Sequence, residues 1–225
     1  MMPDEASFTD EPLRILIADD HDIVREGLCA VIRNQAGMEV VASASNGQEA
    51  LEYYRQYCPD VVLMDLLMPV KDGIEATSDI LSEFPDAHIL ILTSLSDLNR
   101  IIPAIRAGAL GYLEKNTVPG KLIAAIRDVA AGGVHLPLEL TQRMLTHTVE
   151  TGESLRTPEL TLTLREIQVI RLVAKGLSNA QIAQELVTSE RTIGVHVSHV
   201  LDKLGLNNRT QIALYALRRG LAGLF

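Results

Sequence analysis

Residues 61–65 of this 225-residue chain have the sequence VVLMD, and Pro69 follows four residues after Asp65. An apolar run that is rich in β-branched residues and bounded by turn residues is typical of a strand buried in a parallel sheet. Asp65 ends this run, and open α/β sheets place their reactive groups at the carboxyl ends of their strands. The stretch therefore predicts a buried strand with a functional carboxylate at its end.

Four other apolar runs have the same character, and three of them also end in a polar group that can do chemistry. Asp19 and Asp20 follow the first run, Thr93 closes the third and Lys115 closes the fourth. The four runs are residues 13–18, 38–43, 88–93 and 111–115.

Apolar residues with helical spacing fill the segment after each strand, as Ile23, Leu28, Val31 and Ile32 do after the first. Five alternating strand and helix units predict an α/β fold, with a doubly wound parallel sheet of five strands and right-handed crossovers. In such a sheet the polar residues at the strand ends meet at one edge, where ligands gather.

The three carboxylates at this edge suit a hard divalent cation such as Mg²⁺, which prefers oxygen ligands. The expected ligands are the carboxylates of Asp20 and Asp65 and a backbone carbonyl near Leu67, with Asp19 assisting through water. Without a cation the neighbouring carboxylates repel one another, so we expect a strained site.

A carboxylate beside a metal can attack phosphorus and form an aspartyl phosphate. Lys115 and the cation would neutralise the oxygens of the transferring group, and Thr93 would donate a hydrogen bond to it. Each group alone also has an ordinary explanation; Asp20 and Asp22, for example, are well placed to cap a helix that starts near His21. Their joint occurrence at successive strand ends favours a phosphoryl-transfer site.

The motifs that carry these residues are IADDH at 17–21, LMDLLMP at 63–69 followed by DG at 72–73, LTS at 92–94 and GALGYLEK at 108–115. Over residues 13–131 they resemble the receiver domains of two-component response regulators. The resemblance implies a flavodoxin-like strand order, with Asp65 as the phosphoacceptor of a sensor histidine kinase. It also implies that Thr93 and Tyr112 act as a switch pair. Two residues depart from the family's pattern, because Pro103 lies within the fourth helix and Glu114 stands where an apolar residue is usual.

The charge of the chain is unevenly distributed, although the net charge is −9. Residues 1–156 contain 12 Lys and Arg against 24 Asp and Glu, whereas residues 157–225 contain 8 against 5. A polyanion would be repelled by the first part and tolerated by the second. We expect four parts: an N-terminal tail at 1–12, the α/β domain at 13–131, a linker with a short helix (138–148) at 132–157, and a domain at 158–225.

The C-terminal part contains start signals for four short helices. Thr163 with Glu166, and Ser178 with Gln181, have the spacing of capping boxes, and Asn208 with Gln211 repeats it. The third helix is expected at 190–204 and the fourth at 210–219. The second and third have the spacing of a helix-turn-helix unit, and an ordinary four-helix protein-binding module remains the alternative.

The outward face of the third helix is the candidate surface for reading DNA. Arg191 or Lys203 would hold phosphates and Val195 would meet a thymine methyl group. Gly194 lies in this helix, where glycine costs on the order of 1 kcal/mol relative to alanine. We hypothesise that phosphorylation or a second factor is needed for useful affinity, because Gly194 lacks a cation and the domain charge is only modestly positive.

Several blocks of this part resemble the LuxR-type helix-turn-helix: LTLRE at 162–166, AKGLSNAQIA at 174–183, SERTI at 189–193 and KLG at 203–205. The family commonly has Lys where this chain has Gly194. With the receiver in front, the whole chain is similar to response regulators of the NarL/FixJ class, which implies a transcription regulator that binds double-stranded promoter DNA. The expected DNA contacts are Ser178, Asn179, Arg191, Thr192, Val195, His196, Ser198, His199 and Lys203. The last helix would dimerise the module when the protein is phosphorylated, through Thr210, Leu214 and Leu217.

We therefore expect a phosphorylation-controlled transcription factor, which is not an enzyme except in its own phosphorylation and dephosphorylation. One alternative is a phosphorylation-independent DNA-binding regulator whose receiver is a dimerisation scaffold. Another is a metal-dependent phosphohydrolase, which the absence of an acid at Leu67 disfavours. Cys29 and Cys58 are expected to be buried as small hydrophobic residues, in a protein of the reducing cytoplasm. No apolar stretch approaches about 18 residues, so no membrane span is expected.

Overall fold

The computed structural model describes residues 11–94, 98–136 and 162–221. The N-terminal unit contains a sheet of five parallel strands in the order β2-β1-β3-β4-β5. This confirms the predicted fold class and strand order. The elements are β1 (Leu13–Ala18), α1 (Asp22–Arg33), β2 (Met38–Ala44), α2 (Gly47–Tyr57), β3 (Val61–Met64), α3 (Gly73–Glu83), β4 (Ile89–Thr93), α4 (Leu98–Ala107), β5 (Gly111–Glu114) and α5 (Pro119–Ala130).

Side chains of the central strands alternate between two apolar layers, as the period of a strand requires. One layer contains Val62 and Met64 and packs against α2, α3 and α4. The other contains Val61 and Leu63 and packs against α1 and α5. Because both faces of the sheet are covered, β3 and β4 are continuously apolar up to the polar residues at their carboxyl ends.

One alternative explanation and one prediction in this unit are wrong. The N-cap of α1 is His21, and neither Asp20 nor Asp22 caps the helix; instead the Asp19 carboxylate accepts a hydrogen bond from the His21 backbone N–H. Cys58 is exposed at the end of α2 in a left-handed conformation, whereas Cys29 is half-buried in α1. Cys58 is the C-cap of α2, and its exposure is set by the left-handed backbone of the cap and not by the spacing of apolar residues along the helix.

The C-terminal unit contains four helices around a separate apolar core. Capping boxes at Thr163 and Ser178 begin the first two, as predicted. Asn208 caps the last helix, but Gln211 accepts from the Asn207 N–H rather than from that of Asn208. The helices are α6 (Leu164–Ala174), α7 (Asn179–Glu185), α8 (Glu190–Leu204) and α9 (Arg209–Arg218).

The two units touch along a seam formed by α4, β5, α9 and residues 132–136. The backbone of His135 pairs with β5 through hydrogen bonds to Leu110 and Tyr112 (2.8 and 3.0 Å), and the Val134 N–H donates to the Gly176 carbonyl (3.2 Å). The first residues of the predicted linker therefore lie along the edge of the sheet, beside β5. The short helix predicted at 138–148 lies outside the described residues. Within the described ranges, no helix is long and apolar enough to span a membrane.

Candidate functional site

The strand ends bring the predicted residues of the acidic site together. Asp19 follows β1, Asp65 follows β3, Thr93 ends β4 and Lys115 follows β5. Asp19, Asp65 and Thr93 are almost completely buried, with at most 3% of their surface exposed. These residues lie at the edge of the sheet predicted from the sequence.

A buried ion triad forms the centre of the site. The Lys115 ammonium lies 2.7 Å from Asp19 Oδ2 and 2.8 Å from Asp65 Oδ2, and the other Asp65 oxygen accepts from the Leu66 N–H (2.8 Å). Burial raises the pKa of the Asp65 carboxyl, and Lys115 only partly opposes this effect. Burial alone would lower the pKa of Lys115, but its bonds to Asp19 and Asp65 raise it. One ammonium therefore serves two carboxylates, which leaves room for a further cation.

The donor set of this site fits a hard divalent cation. Asp19, Asp20, His21 and Asp65 each present one ligand atom, and these atoms all lie within 4.8 Å of one another. Carboxylate oxygens are what Mg²⁺ prefers, and it usually keeps several waters. Asp20 is exposed, so the cluster opens to solvent on its side.

His21 makes a contact in this cluster that was not predicted from the sequence. His21 Nδ1 lies 2.8 Å from Asp20 Oδ1, so the imidazole orients one of the expected ligands. The only sign of this contact in the sequence is that His21 directly follows Asp20. No described contact tests whether the Leu67 carbonyl is a ligand, which stays a prediction.

The loop after β3 explains why the sequence has Asp72 and Gly73 there. The Asp72 carboxylate caps α3 by accepting from the N–H groups of Ile74 and Glu75 (2.9 Å each). A Cβ on Gly73 would lie 1.9 Å from the Asp65 carbonyl oxygen, so only glycine allows α3 to start against the site. This close approach constrains the backbone of Asp65 and therefore the position of its carboxylate.

The second candidate surface is the outer face of α8. Arg191, Thr192, Val195, Ser198 and His199 are exposed there, and His196 is half-buried. Since α8 is the second helix of the helix-turn-helix pair, this face is free to enter a major groove.

Three other predicted DNA contacts have partners within the protein. The Lys203 ammonium lies 2.7 and 2.8 Å from the two oxygens of Glu166, which is buried. Ser178 is buried as the cap of α7, and Asn179 Oδ1 accepts from Arg209. A phosphate contact by Lys203 would have to break its ion pair, and the role of Glu166 was missed because the two residues are far apart in sequence.

The residues predicted to dimerise the module lie at two different packing surfaces. Thr210 and Leu214 face the N-terminal unit: Thr210 Oγ1 donates to the Ala109 carbonyl (3.1 Å), and Leu214 belongs to the apolar layer that contains Tyr112. Leu217 packs on the C-terminal core. The seam therefore covers part of the predicted dimer surface.

Replacing Gly194 with lysine is expected to strengthen DNA binding. A Cβ at Gly194 would meet no atom within 4 Å, so the helix has space for a side chain. Loss of glycine should stabilise α8 by about 1 kcal/mol, and one added phosphate contact should steepen the dependence of log K on log salt by about 0.9. Thermal unfolding and titrations of a short duplex at several salt concentrations measure the two effects. Gly194→Ala is the control; if it binds DNA as well as Gly194→Lys does, position 194 does not face a phosphate.

Comparisons with known proteins match both units. Residues 15–127 match the response regulator receiver domain, and residues 160–216 match the bacterial regulatory proteins of the luxR family. The transcriptional regulatory proteins LnrK and LiaR of Bacillus subtilis (strain 168) are 40% and 39% identical to the chain, each covering 93% of it and 99% of their own length. The crystal structure of the response regulator ChrA of a heme-sensing two-component system is 32% identical with a TM-score of 0.52, and covers 93% of this chain and 98% of its own.

Proposed function

The chain belongs to the two-component response regulators that join a receiver to a LuxR-family DNA-binding domain and control transcription, and on this premise we propose how its site works. Asp65 accepts a phosphoryl group from a sensor histidine kinase, the receiver then releases α9, and two copies pair through α9 on promoter DNA in the cytoplasm. The observation that carries this proposal is that α9 lies on the receiver face that contains Tyr112.

Asp65 is the nucleophile of the phosphoryl transfer. One of its oxygens forms the new P–O bond while the P–N bond to the kinase imidazole breaks, and the imidazole leaves with the electron pair. Lys115, 2.8 Å from Asp65 Oδ2, is placed to neutralise an oxygen of the incoming group. Mg²⁺ held by Asp19, Asp20 and Asp65 supplies the remaining positive charge when bound. Asp65 turns over no independent substrate.

The switch runs from the strand ends to α9. Thr93 is buried at the end of β4, next to the strand that carries Tyr112. A phosphoryl group on Asp65 attracts the Thr93 hydroxyl, and Tyr112 moves into the space that Thr93 leaves. Because Tyr112 and Leu214 belong to the same apolar layer, this movement weakens the packing of α9 on the receiver.

The form in which α9 packs on the receiver is called the closed form here. It restricts dimerisation and leaves the DNA-reading face accessible. Thr210 and Leu214 cannot contact the receiver and a second copy of α9 at the same time, since both are buried in the seam. The outer face of α8, by contrast, is exposed, with Val195 at 48%. Phosphorylation would therefore raise DNA affinity through the pairing of two half-sites.

Treatment with Mg²⁺ and a small phosphodonor such as acetyl phosphate tests the proposal directly. We expect the molar mass from light scattering to change from monomer to dimer. The same treatment should give tight binding to a duplex, selected from a random pool, with two half-sites about one helical turn (34–36 Å) apart. A phosphorylated protein that remains monomeric and binds single half-sites equally well would contradict it.

A further inference from the structure

Arg209 occupies the centre of the seam between the two domains. It is the first residue of α9, and both of its neighbours bond to the receiver: Asn208 Nδ2 to the Arg106 carbonyl (3.3 Å) and Thr210 Oγ1 to the Ala109 carbonyl. The carbonyl of Gly176, next to Leu177, accepts from the linker N–H of Val134. The guanidinium of Arg209 thus lies among groups that hold the domains together.

Within the described part of the chain, the guanidinium makes hydrogen bonds only to uncharged groups of its own domain. One terminal nitrogen donates to Asn179 Oδ1 (2.7 Å) and the other to the Leu177 carbonyl. The Nε atom is buried and has no hydrogen-bond partner among residues 11–94, 98–136 and 162–221. Among the described residues, no carboxylate lies within ion-pair distance of Arg209.

Arg209 is half-buried as a residue, but its Nε is completely buried. A cation in this environment without a counter-ion is unusual, because burying a charge is costly unless a counter-ion compensates it. Burial lowers the pKa of Arg209 to about 10. His88, directly before β4, has a lowered pKa mainly through its own burial, and the charge of Arg209 adds to the effect. The closed form therefore holds a cation without its anion, and separation of the domains relieves that cost.

We propose that the missing anion is a DNA phosphate. Arg209 is then a residue that binds the DNA backbone, and the closed form prevents it from reaching DNA. This inference rests on the proposed function, in which α9 leaves the receiver. Arg209 is held beside Asn179, the first residue of α7, and the first helix of a helix-turn-helix crosses the DNA backbone. Guanidinium groups bind phosphate in a bidentate manner, and the fork of Arg209 is already oriented by Asn179. Opening the seam then adds one cation to the DNA-binding surface, in step with the release of α9.

The salt dependence of DNA binding tests this assignment in the full-length, donor-treated protein. For Arg209→Gln we expect the slope of log K against log salt, measured on a short duplex with both half-sites, to fall in magnitude by about 1.8 per dimer, because each of the two protomers loses one phosphate contact worth about 0.9. Arg209→Lys should keep the wild-type slope. Arg127→Gln removes an exposed charge from the receiver helix α5 and should also leave the slope unchanged. If the slope is unchanged in Arg209→Gln while the wild-type protein dimerises and binds DNA, the role of Arg209 is overturned and the proposed function stands. A wild-type protein that does neither overturns the proposed function as well.

A chemical measurement on the unmodified chain does not depend on how the variants fold. Phenylglyoxal reacts with accessible guanidinium groups, and peptide mass spectrometry reports its reaction at Arg209. We expect Arg209 to be protected in the resting protein, reactive after donor treatment and protected again when the duplex is added. Reaction at Arg209 that is unchanged by DNA, with Arg127 reactive in all three states, would show that no phosphate covers it.

Discussion

We expect Asp65→Asn to abolish the response to a phosphodonor completely. The amide is close in size to the carboxylate but cannot form an acyl phosphate, and because it is neutral it cannot form an ion pair with the Lys115 ammonium, which lies 2.8 Å from Asp65 Oδ2. Intact mass should show no added phosphoryl group, light scattering should show a monomer, and duplex binding should stay at the level of the untreated wild-type protein.

Stability measurements separate loss of phosphorylation from loss of folding. A carboxyl whose folded pKa is raised destabilises the folded state as pH rises above its unfolded pKa, and the destabilisation is complete above its folded pKa. At neutral pH without Mg²⁺, Asp65→Asn removes that destabilising charge, so its unfolding temperature should not fall far below that of wild type. Asp86→Asn, an exposed carboxylate before β4, is the control and should respond to the donor as wild type does. If Asp65→Asn dimerises and binds DNA like wild type, the receiver is a phosphorylation-independent scaffold.

The acidic site can be predicted from sequence because its geometry follows from strand order. Each of Asp19, Asp65, Thr93 and Lys115 is adjacent to or within a short apolar run, and parallel strands align their carboxyl ends. An error of one residue in a strand boundary, such as β4 beginning at Ile89 instead of 88, leaves the end residue in place. Local sequence and sheet topology therefore suffice.

Contacts between distant segments could not be predicted in the same way. Lys203 and Glu166 lie 37 positions apart, and Thr210 and Ala109 lie 101 apart. Helical periodicity indicates that Thr210 and Leu214 share one face of α9, but it does not indicate whether a second copy or the receiver covers that face. Arg209 was missed for the same reason, since its partners Leu177 and Asn179 lie 32 and 30 positions away.

The sharpest test of the seam is Leu214→Lys, which is expected to open the resting protein and also to prevent its dimerisation. Leu214 is 5% exposed and lies in the receiver's apolar layer. A buried charge that is left without a partner commonly costs about 3–5 kcal/mol, and this cost opposes the packing of α9 on the receiver. Small-angle scattering should show a larger radius of gyration before donor treatment, and light scattering should show a monomer after it.

Both results are needed, because they distinguish one shared surface from two separate ones. If α9 uses the same face for the receiver and for a second copy, a single charge on that face must disrupt both contacts. Leu164→Lys makes the same chemical change at a residue of α6 that is 84% exposed, and it should leave the closed form and the dimer intact. A Leu214→Lys protein that opens but still dimerises would place the dimer surface elsewhere. One that remains closed would show that the seam does not depend on α9, and then release of α9 could not be the step that phosphorylation controls.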